Sequence, residues 1–222
     1  MRAIWKGHIR FSLVTIPIRI YNAIDNQQSV KFNLLARETN NPVKYEKKDK
    51  VTGETLRTED IVKGYQYEPG QFVLVDQDDF EKVKLKSTKV IEIEGFVDAS
   101  EVHHTLFDSP YFAGPDGEVA AKTYQLLSES LRESGKVGVG KVVLRDRENV
   151  VLLTPHEKGI LLYKLRYPEE VRNIKDVPNT DKEQELEPEQ LRMANTLIDS
   201  MTRNFSDLKL EDRYNGALKE MI

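Results

Sequence analysis

The sequence contains no cysteine, a single tryptophan and no long apolar run. Without cysteine there is no disulfide framework, no thiolate zinc site and no cysteine nucleophile. The longest apolar runs, such as Val150 to Leu153, are strand-sized, whereas a membrane span needs about 20 apolar residues. Arg10 and Arg19 interrupt the apolar stretch near the N-terminus, so no signal-peptide core is predicted. We therefore expect a cytoplasmic protein that is mature from Met1.

Neither sign of charge dominates the chain. The 222 residues carry 33 Lys and Arg against 37 Asp and Glu, a formal charge of -4. The charges are nevertheless grouped in blocks of alternating sign along the sequence. The net charge is +5 over residues 1–63, -8 over 64–118, +4 over 119–166 and -5 over 167–222. Such blocks either gather one sign on one surface, as an anionic partner requires, or are only solvated faces.

The hydrophobic pattern predicts a mainly β, mixed α+β fold. Val14 to Ile20 alternate apolar and polar residues with period two, as in a strand, and Pro17 places that strand at an edge or a bend. The last three predicted strands follow one another closely, as in an antiparallel meander, and many short strands favour a barrel or a sandwich. The other predicted strands span residues 72–75, 90–97, 139–145, 150–154 and 160–167.

Three helices are expected in the second half of the chain. The first spans 118–134, with Asp116 as its N-terminal cap and Gly135 at its end. The second begins near Pro188 and carries an apolar stripe. The third spans about 211–221, with Tyr214 and Leu218 on its buried face. The stripe of the second helix consists of Leu191, Ala194, Ile198, Met201 and Phe205.

Residues 31–60 form a segment of unusual composition. It has few large apolar residues after Leu35, so it cannot form a core by itself, and residues 51–54 supply a turn near its middle. An extended hairpin arm of a dozen residues reaches about 40 Å, at about 3.3 Å per residue. A protruding basic hairpin would bind phosphates well. Its basic residues are Lys31, Arg37, Lys44, Lys47, Lys48, Lys50 and Arg57.

The most tempting catalytic motif is Gly135 to Lys141, which satisfies G-x-x-x-x-G-K. A phosphate-binding loop of this kind needs Ser or Thr next, but Val142 follows, and the loop leaves a helix and enters a strand instead of the reverse. A glycine-rich turn is the favoured interpretation. The carboxylates near Asp76 lack the spacing of a calcium loop, and Asp76 is predicted to cap a short helix that runs through Lys84. No enzyme site, metal site or cofactor is predicted.

Several ordered motifs resemble the bacterial Ku family, the DNA-end-binding proteins of non-homologous end joining. The opening Met1 to Val14, MRAIWKGHIRFSLV, closely resembles the opening of that family. Further likenesses are IVKGYQY at 61–67, ESGKVG at 133–138 and LRYPEEVR at 165–172, in the expected order. A looser likeness is DRYNGAL at 212–218.

The resemblance implies a fold and a function. The fold would be a β-barrel core over residues 1–172 that includes a long basic bridge hairpin at about 31–60, followed by an acidic linker at 173–187 and a helical segment at 188–222. The function would be sequence-independent binding of double-stranded DNA ends by a homodimeric ring. The implied partners are DNA ends, a second copy of the chain and an ATP-dependent end-joining ligase of the ligase D type, and the implied location is the nucleoid.

Candidate DNA-binding residues follow from position in this scheme. Five lie in the bridge, two follow the Asp76 cap and two lie at the first turn of the meander. Because a ring must accept any end, they should contact phosphates and not base edges. The alternatives are an oligomeric protein scaffold without DNA binding, or a nucleotide-binding enzyme that uses Gly135 to Lys141. The nine candidates are Lys31, Arg37, Lys44, Lys47, Lys48, Lys82, Lys84, Arg145 and Arg147.

Overall fold

The computed structural model describes residues 1–25, 30–144, 146–180, 182 and 184–221. The chain divides into two compact units. The first comprises Met1–Asp25 and Phe32–Tyr167, and the second comprises the described residues of 26–31 and 168–222.

Nine strands are present in the described residues. Seven of them close a barrel in the order β1-β2-β6-β9-β8-β7-β5, while β3 and β4 form a separate hairpin. The strands are β1 (Trp5–Phe11), β2 (Val14–Asn22), β3 (Lys63–Glu68), β4 (Gln71–Val75), β5 (Val90–Asp98), β6 (Phe107–Pro115), β7 (Lys136–Leu144), β8 (Arg147–His156) and β9 (Gly159–Leu165).

The mainly β barrel with a meander at β7, β8 and β9 confirms the predicted fold class. One pair departs from the antiparallel pattern, because β1 runs parallel to β5, with Ile9 opposite Ile91. This pair closes the barrel between the first strand and a strand that lies some eighty residues later in the chain.

The barrel interior is filled by alternate residues of each strand, as period-two patterning requires. Ile16, Ile18 and Ile20 of β2 are almost completely buried, and so are Ile160 and Leu162 of β9. The four α-helices of the described residues are α1 (Gln77–Val83), α2 (Glu118–Ser134), α3 (Pro188–Met201) and α4 (Arg213–Met221).

Helix α2 packs against this core through Tyr124, Leu127 and Leu131. The Tyr124 hydroxyl donates to the carbonyl of Ala113 at 2.5 Å and accepts from the N–H of Ile160 at 2.8 Å. It therefore satisfies two backbone groups where β6 and β9 meet the helix.

Two of the three predicted helix caps are confirmed. Asp76 caps α1 through the N–H of Asp79, and Gly135 ends α2 with φ at 65°. The third prediction is wrong: Gly117, with φ at 87° and no side-chain bond, precedes α2. Asp116 is unavailable as a cap because its carboxylate pairs with Lys6 and Arg19 instead.

The second unit contains α3 and α4. Helix α3 begins at Pro188 as predicted, and α4 agrees with its predicted bounds within two residues. The prediction that the stripe of α3 extends to Phe205 is wrong, because the backbone turns extended at Thr202 and Phe205 begins a separate 3-10 helix. The prediction that Tyr214 lies on a buried face is wrong for the single chain, because the described residues leave it 72% exposed. The stripe of α3 is exposed as well, with Ile198 at 63% and Met201 at 75%. No helix among the described residues has the length and apolarity to span a membrane.

Candidate nucleic-acid interface

The basic segment of residues 31–60 is almost entirely exposed. It does not form one regular hairpin. Two short antiparallel turns are each closed by an isolated bridge, Leu35 with Pro42 and Lys48 with Thr55. The regular hairpin, β3 with β4, follows directly after it.

The second of these turns is built around Asp49. Its carboxylate accepts the N–H groups of Val51 at 2.7 Å and Thr52 at 2.9 Å, and these bonds hold the pKa of Asp49 below its usual value. Gly53 follows with φ at 77°, a conformation that glycine adopts without strain. The carboxylate that neighbours Lys48 in the chain is thus committed to the backbone of the turn.

Four of the five predicted bridge residues lie in the first unit, and their charged groups have no ion-pair partner among the described residues. Arg37, Lys44, Lys47 and Lys48 are exposed, and none forms an ion pair with any described residue. Arg57 differs, because its guanidinium lies 2.9 Å from Glu59 and 3.2 Å from Asp60. The fifth, Lys31, is exposed and belongs to the second unit.

The barrel strands show the opposite pattern. Within the described residues, every lysine and arginine on the seven barrel strands, apart from Arg147, pairs with a carboxylate. The pairs are Lys6 and Arg19 with Asp116, Arg10 with Glu92, Lys136 with Asp98, Lys141 with Glu94 and Lys164 with Asp108.

The candidates outside the bridge fall into different classes. Lys82 lies 2.8 Å from Asp79, and Lys84 lies 3.2 Å from Asp146, which raises the pKa of Lys84 chiefly through that hydrogen bond. Arg147 begins β8, is exposed and has no ion pair among the described residues. Arg145 lies outside the described residues.

Lys50 is a candidate that the sequence prediction omitted from its nine. It is exposed, it lacks an ion pair among the described residues, and it lies beside Lys48 and Asp49 in the same turn. The available signal was its place in the basic segment, two residues after Lys48 and next to the turn predicted at residues 51–54.

The β3–β4 hairpin presents apolar side chains to solvent. Tyr65 is 69% exposed, Phe72 57% and Leu74 68%. Phe72 and Leu74 lie on one face of the hairpin, whereas Tyr65, which pairs with Val73, lies on the other face. Monomeric proteins rarely leave large apolar patches uncovered. The hairpin therefore has the surface chemistry of an interface.

The Gly135 to Lys141 motif forms no phosphate loop. Apart from Gly135, which ends α2, it lies within β7, and the Lys141 amine is 3.0 Å from Glu94. A Cβ on Gly140 would lie 2.4 Å from the carbonyl oxygen of Glu92, so this glycine permits close strand pairing. Among the described residues, no group of three or more His, Asp or Glu side chains is arranged to hold a metal ion.

Comparison with known proteins decides the family. A family model described as the Ku70/Ku80 beta-barrel domain matches residues 10–193. The chain belongs to the Ku family. It is 36% identical to the non-homologous end joining protein Ku of Bacillus subtilis, over the whole chain and 71% of that protein. It is 36% identical to the Ku protein of Archaeoglobus fulgidus and 35% identical to that of Pseudomonas aeruginosa, covering 87% and 75% of those proteins.

The resemblance predicted from the sequence motifs is confirmed by these matches, and so is the Ku-type barrel. The match begins within β1 and ends within α3, so it includes the basic segment and the β3–β4 hairpin as well as the barrel.

Proposed function

We propose that this chain binds double-stranded DNA ends without sequence preference, as a homodimeric ring that acts in non-homologous end joining. It is a nucleoid-associated binding protein that protects ends, catalyses no reaction and needs no cofactor. The observation that carries the proposal is the contrast between the unpaired cations of residues 37–50 and the paired cations of the barrel strands. The relatives are named after non-homologous end joining, which supports the same process.

Unpaired cations suit phosphate contacts for a simple energetic reason. A lysine that already pairs with a carboxylate must give up that partner before it neutralises a phosphate. Lys44, Lys47 and Lys48 have no such partner among the described residues, so binding costs them no ion pair. Contacts of this type release counterions and carry no sequence information, as a binder of arbitrary ends requires.

Apolar exposure supports the homodimer. The β3–β4 hairpin exposes Tyr65, Phe72 and Leu74, and α3 separately exposes Ile198 and Met201. Each surface lacks a cover within its own unit among the described residues. A second copy that covers them would remove this apolar area from water, which is the main favourable term in stable association.

Recruitment of an ATP-dependent end-joining ligase of the ligase D type completes the proposal. Its support is the naming of the relatives after the end-joining process. Co-sedimentation of such a ligase with the chain on linear duplex tests it. The ligase should shift to the heavier complex only when both the chain and the DNA are present, and independent sedimentation would exclude recruitment by this chain.

The lysine assignment is tested by salt-dependent affinity for linear duplex. The triple variant Lys44→Gln, Lys47→Gln, Lys48→Gln should bind more weakly and reduce the slope of log K against log salt by about 0.9 for each lost phosphate contact. The matched control neutralises three exposed lysines elsewhere, Lys122, Lys158 and Lys175, and should leave the slope unchanged. Equal slopes in both variants would remove the bridge lysines from the interface. No binding of the parent chain to linear duplex at any salt concentration would favour the protein scaffold.

A further inference from the structure

The end of the barrel away from α2 contains a cavity. Helix α2 packs beside Ala113 and Ile160, whereas the cavity wall contains no residue of that helix. Its volume is about 250 Å³. It is lined by Ile4, Trp5, Tyr111, Leu144, Asn149 and Lys164, together with the buried Ile20 and Leu162.

Strand periodicity places Lys164 in this cavity. Ile160 and Leu162 of β9 are buried in the barrel core, and Lys164 continues the same face two residues later. Asn149 is placed in the same way, because it pairs with the buried Val142 across β7 and β8. The wall thus combines a mostly apolar surface with one amine and one amide.

The charge balance next to the cavity is positive. The Lys164 amine lies 3.1 Å from the carboxylate of Asp108, and the Arg166 guanidinium lies 3.2 Å from the same carboxylate. Two cations therefore share one anion, and Arg166 also donates to the carbonyl of Phe107 at 2.8 Å. The carboxylate of a ligand can therefore bind Lys164 while Asp108 remains paired with Arg166.

We propose that this cavity binds a small amphipathic carboxylate, with its alkyl or aryl body against Trp5, Tyr111 and Leu144 and its carboxylate on Lys164. The volume of the cavity is below the usual range for pockets that hold drug-sized ligands, so the ligand must be smaller than these. An apolar pocket with a few convergent polar groups in a barrel mouth is a common form of ligand site. The site is distinct from the basic segment to which we assign DNA binding.

The single tryptophan provides a direct readout, because Trp5 lines the cavity and no other tryptophan contributes fluorescence. The whole chain is titrated with octanoate below its micelle concentration, and separately with octanol, which has the same body without the charge. We expect a saturable change in Trp5 emission with octanoate and a weaker affinity for octanol. A linear response to both compounds would overturn the proposal.

Two variants separate the roles of the charges. Lys164→Met should weaken octanoate binding about tenfold, as expected for loss of a charge-assisted hydrogen bond, and should leave octanol unaffected. Asp108→Asn should strengthen octanoate binding, because it removes the competing carboxylate. Since the two variants act in opposite directions, misfolding cannot explain both results. The control Lys158→Met lies in the β8–β9 turn, outside the cavity wall, and should bind as the parent does. Unchanged octanoate affinity in Lys164→Met would overturn the proposal.

Discussion

The carboxylate of Asp116 lies 2.6 Å from the Nε of Arg19, although the two residues are 97 positions apart in the chain. The other oxygen of the same carboxylate lies 2.7 Å from the amine of Lys6. Asp116 directly follows β6, so its two ion pairs link the end of β6 to β1 and β2. This carboxylate is only 11% exposed, whereas the side chains of Lys6 and Arg19 are 69% and 46% exposed, so the contacts are partly shielded from solvent.

Neutralising Asp116 should change the pH dependence of stability. Hydrogen bonds from Lys6 and Arg19 hold the pKa of Asp116 below its usual value. The ionised carboxylate therefore stabilises the fold above the unfolded pKa of about 3.9, and this stabilisation is lost as the pH falls through the lower folded value. Melting of the parent and Asp116→Asn should show a gap in Tm at pH 7 that closes below about pH 4.

The matched control is Asp78→Asn, which makes the same change in net charge on the exposed first turn of α1. It should show no such gap at pH 7. A gap for Asp116→Asn that stays constant from neutral to acid pH would contradict the ion-pair explanation.

Tyr124→Phe should destabilise the barrel. The substitution leaves the carbonyl of Ala113 and the N–H of Ile160 without the hydroxyl that bonds both. Burial raises the pKa of Tyr124, which keeps the phenol neutral and able to donate. We expect the free energy of unfolding in urea to fall by about 1–3 kcal/mol. Tyr45→Phe, at a side chain that is 77% exposed, should have no effect, and equal losses in the two variants would refute the role of Tyr124.

Gly140→Ala should disrupt the pairing of β5 with β7. The new methyl group would lie 2.4 Å from the carbonyl oxygen of Glu92, and the strands would have to separate to admit it. We expect a loss of about 1–3 kcal/mol in the free energy of unfolding. Gly95→Ala, on the partner strand at the same register irregularity, meets nothing within 4 Å and should be close to neutral. Similar stabilities for the two variants would show that close approach is not the reason for Gly140.

Ile198→Glu should weaken the proposed homodimer. Ile198 is 63% exposed on the apolar stripe of α3, and a charge there would have to be desolvated on association. Sedimentation equilibrium should show the dimer dissociation constant raised by about tenfold or more, as for a buried interface anchor. Thr196→Glu, on the opposite face of the same helix, should leave the constant unchanged. If neither variant changes it, the stripe of α3 does not carry the dimer.

Patterns that depend on neighbouring residues were predictable from the sequence. Helix α2 has its expected bounds because an apolar stripe and Gly135 define it locally. Strand β1 was missed, because Gly7 interrupts its apolar alternation. The structure explains that glycine: a Cβ on it would lie 2.2 Å from both the Trp5 ring and the carbonyl of Lys89. Strand β6 was missed because Pro110 resembles a breaker, whereas it sits at a register irregularity.

The candidate site was less predictable, because charge pairing depends on the fold. The sequence alone does not distinguish Lys141 from Lys48 as a candidate for phosphate contact. Only the pairing of β5 with β7 brings Glu94 to Lys141, while Lys48 stays on a turn whose acidic residue, Asp49, bonds the backbone. The distinction between occupied and available cations therefore needs tertiary structure.

The most direct test of the central claim compares linear duplex with covalently closed circular duplex of the same sequence, in mobility-shift titrations at two salt concentrations. A ring that loads from a free terminus should bind the linear form and not the closed form, and its affinity should fall steeply with salt. Equal affinity for the two forms would contradict end binding by a closed ring.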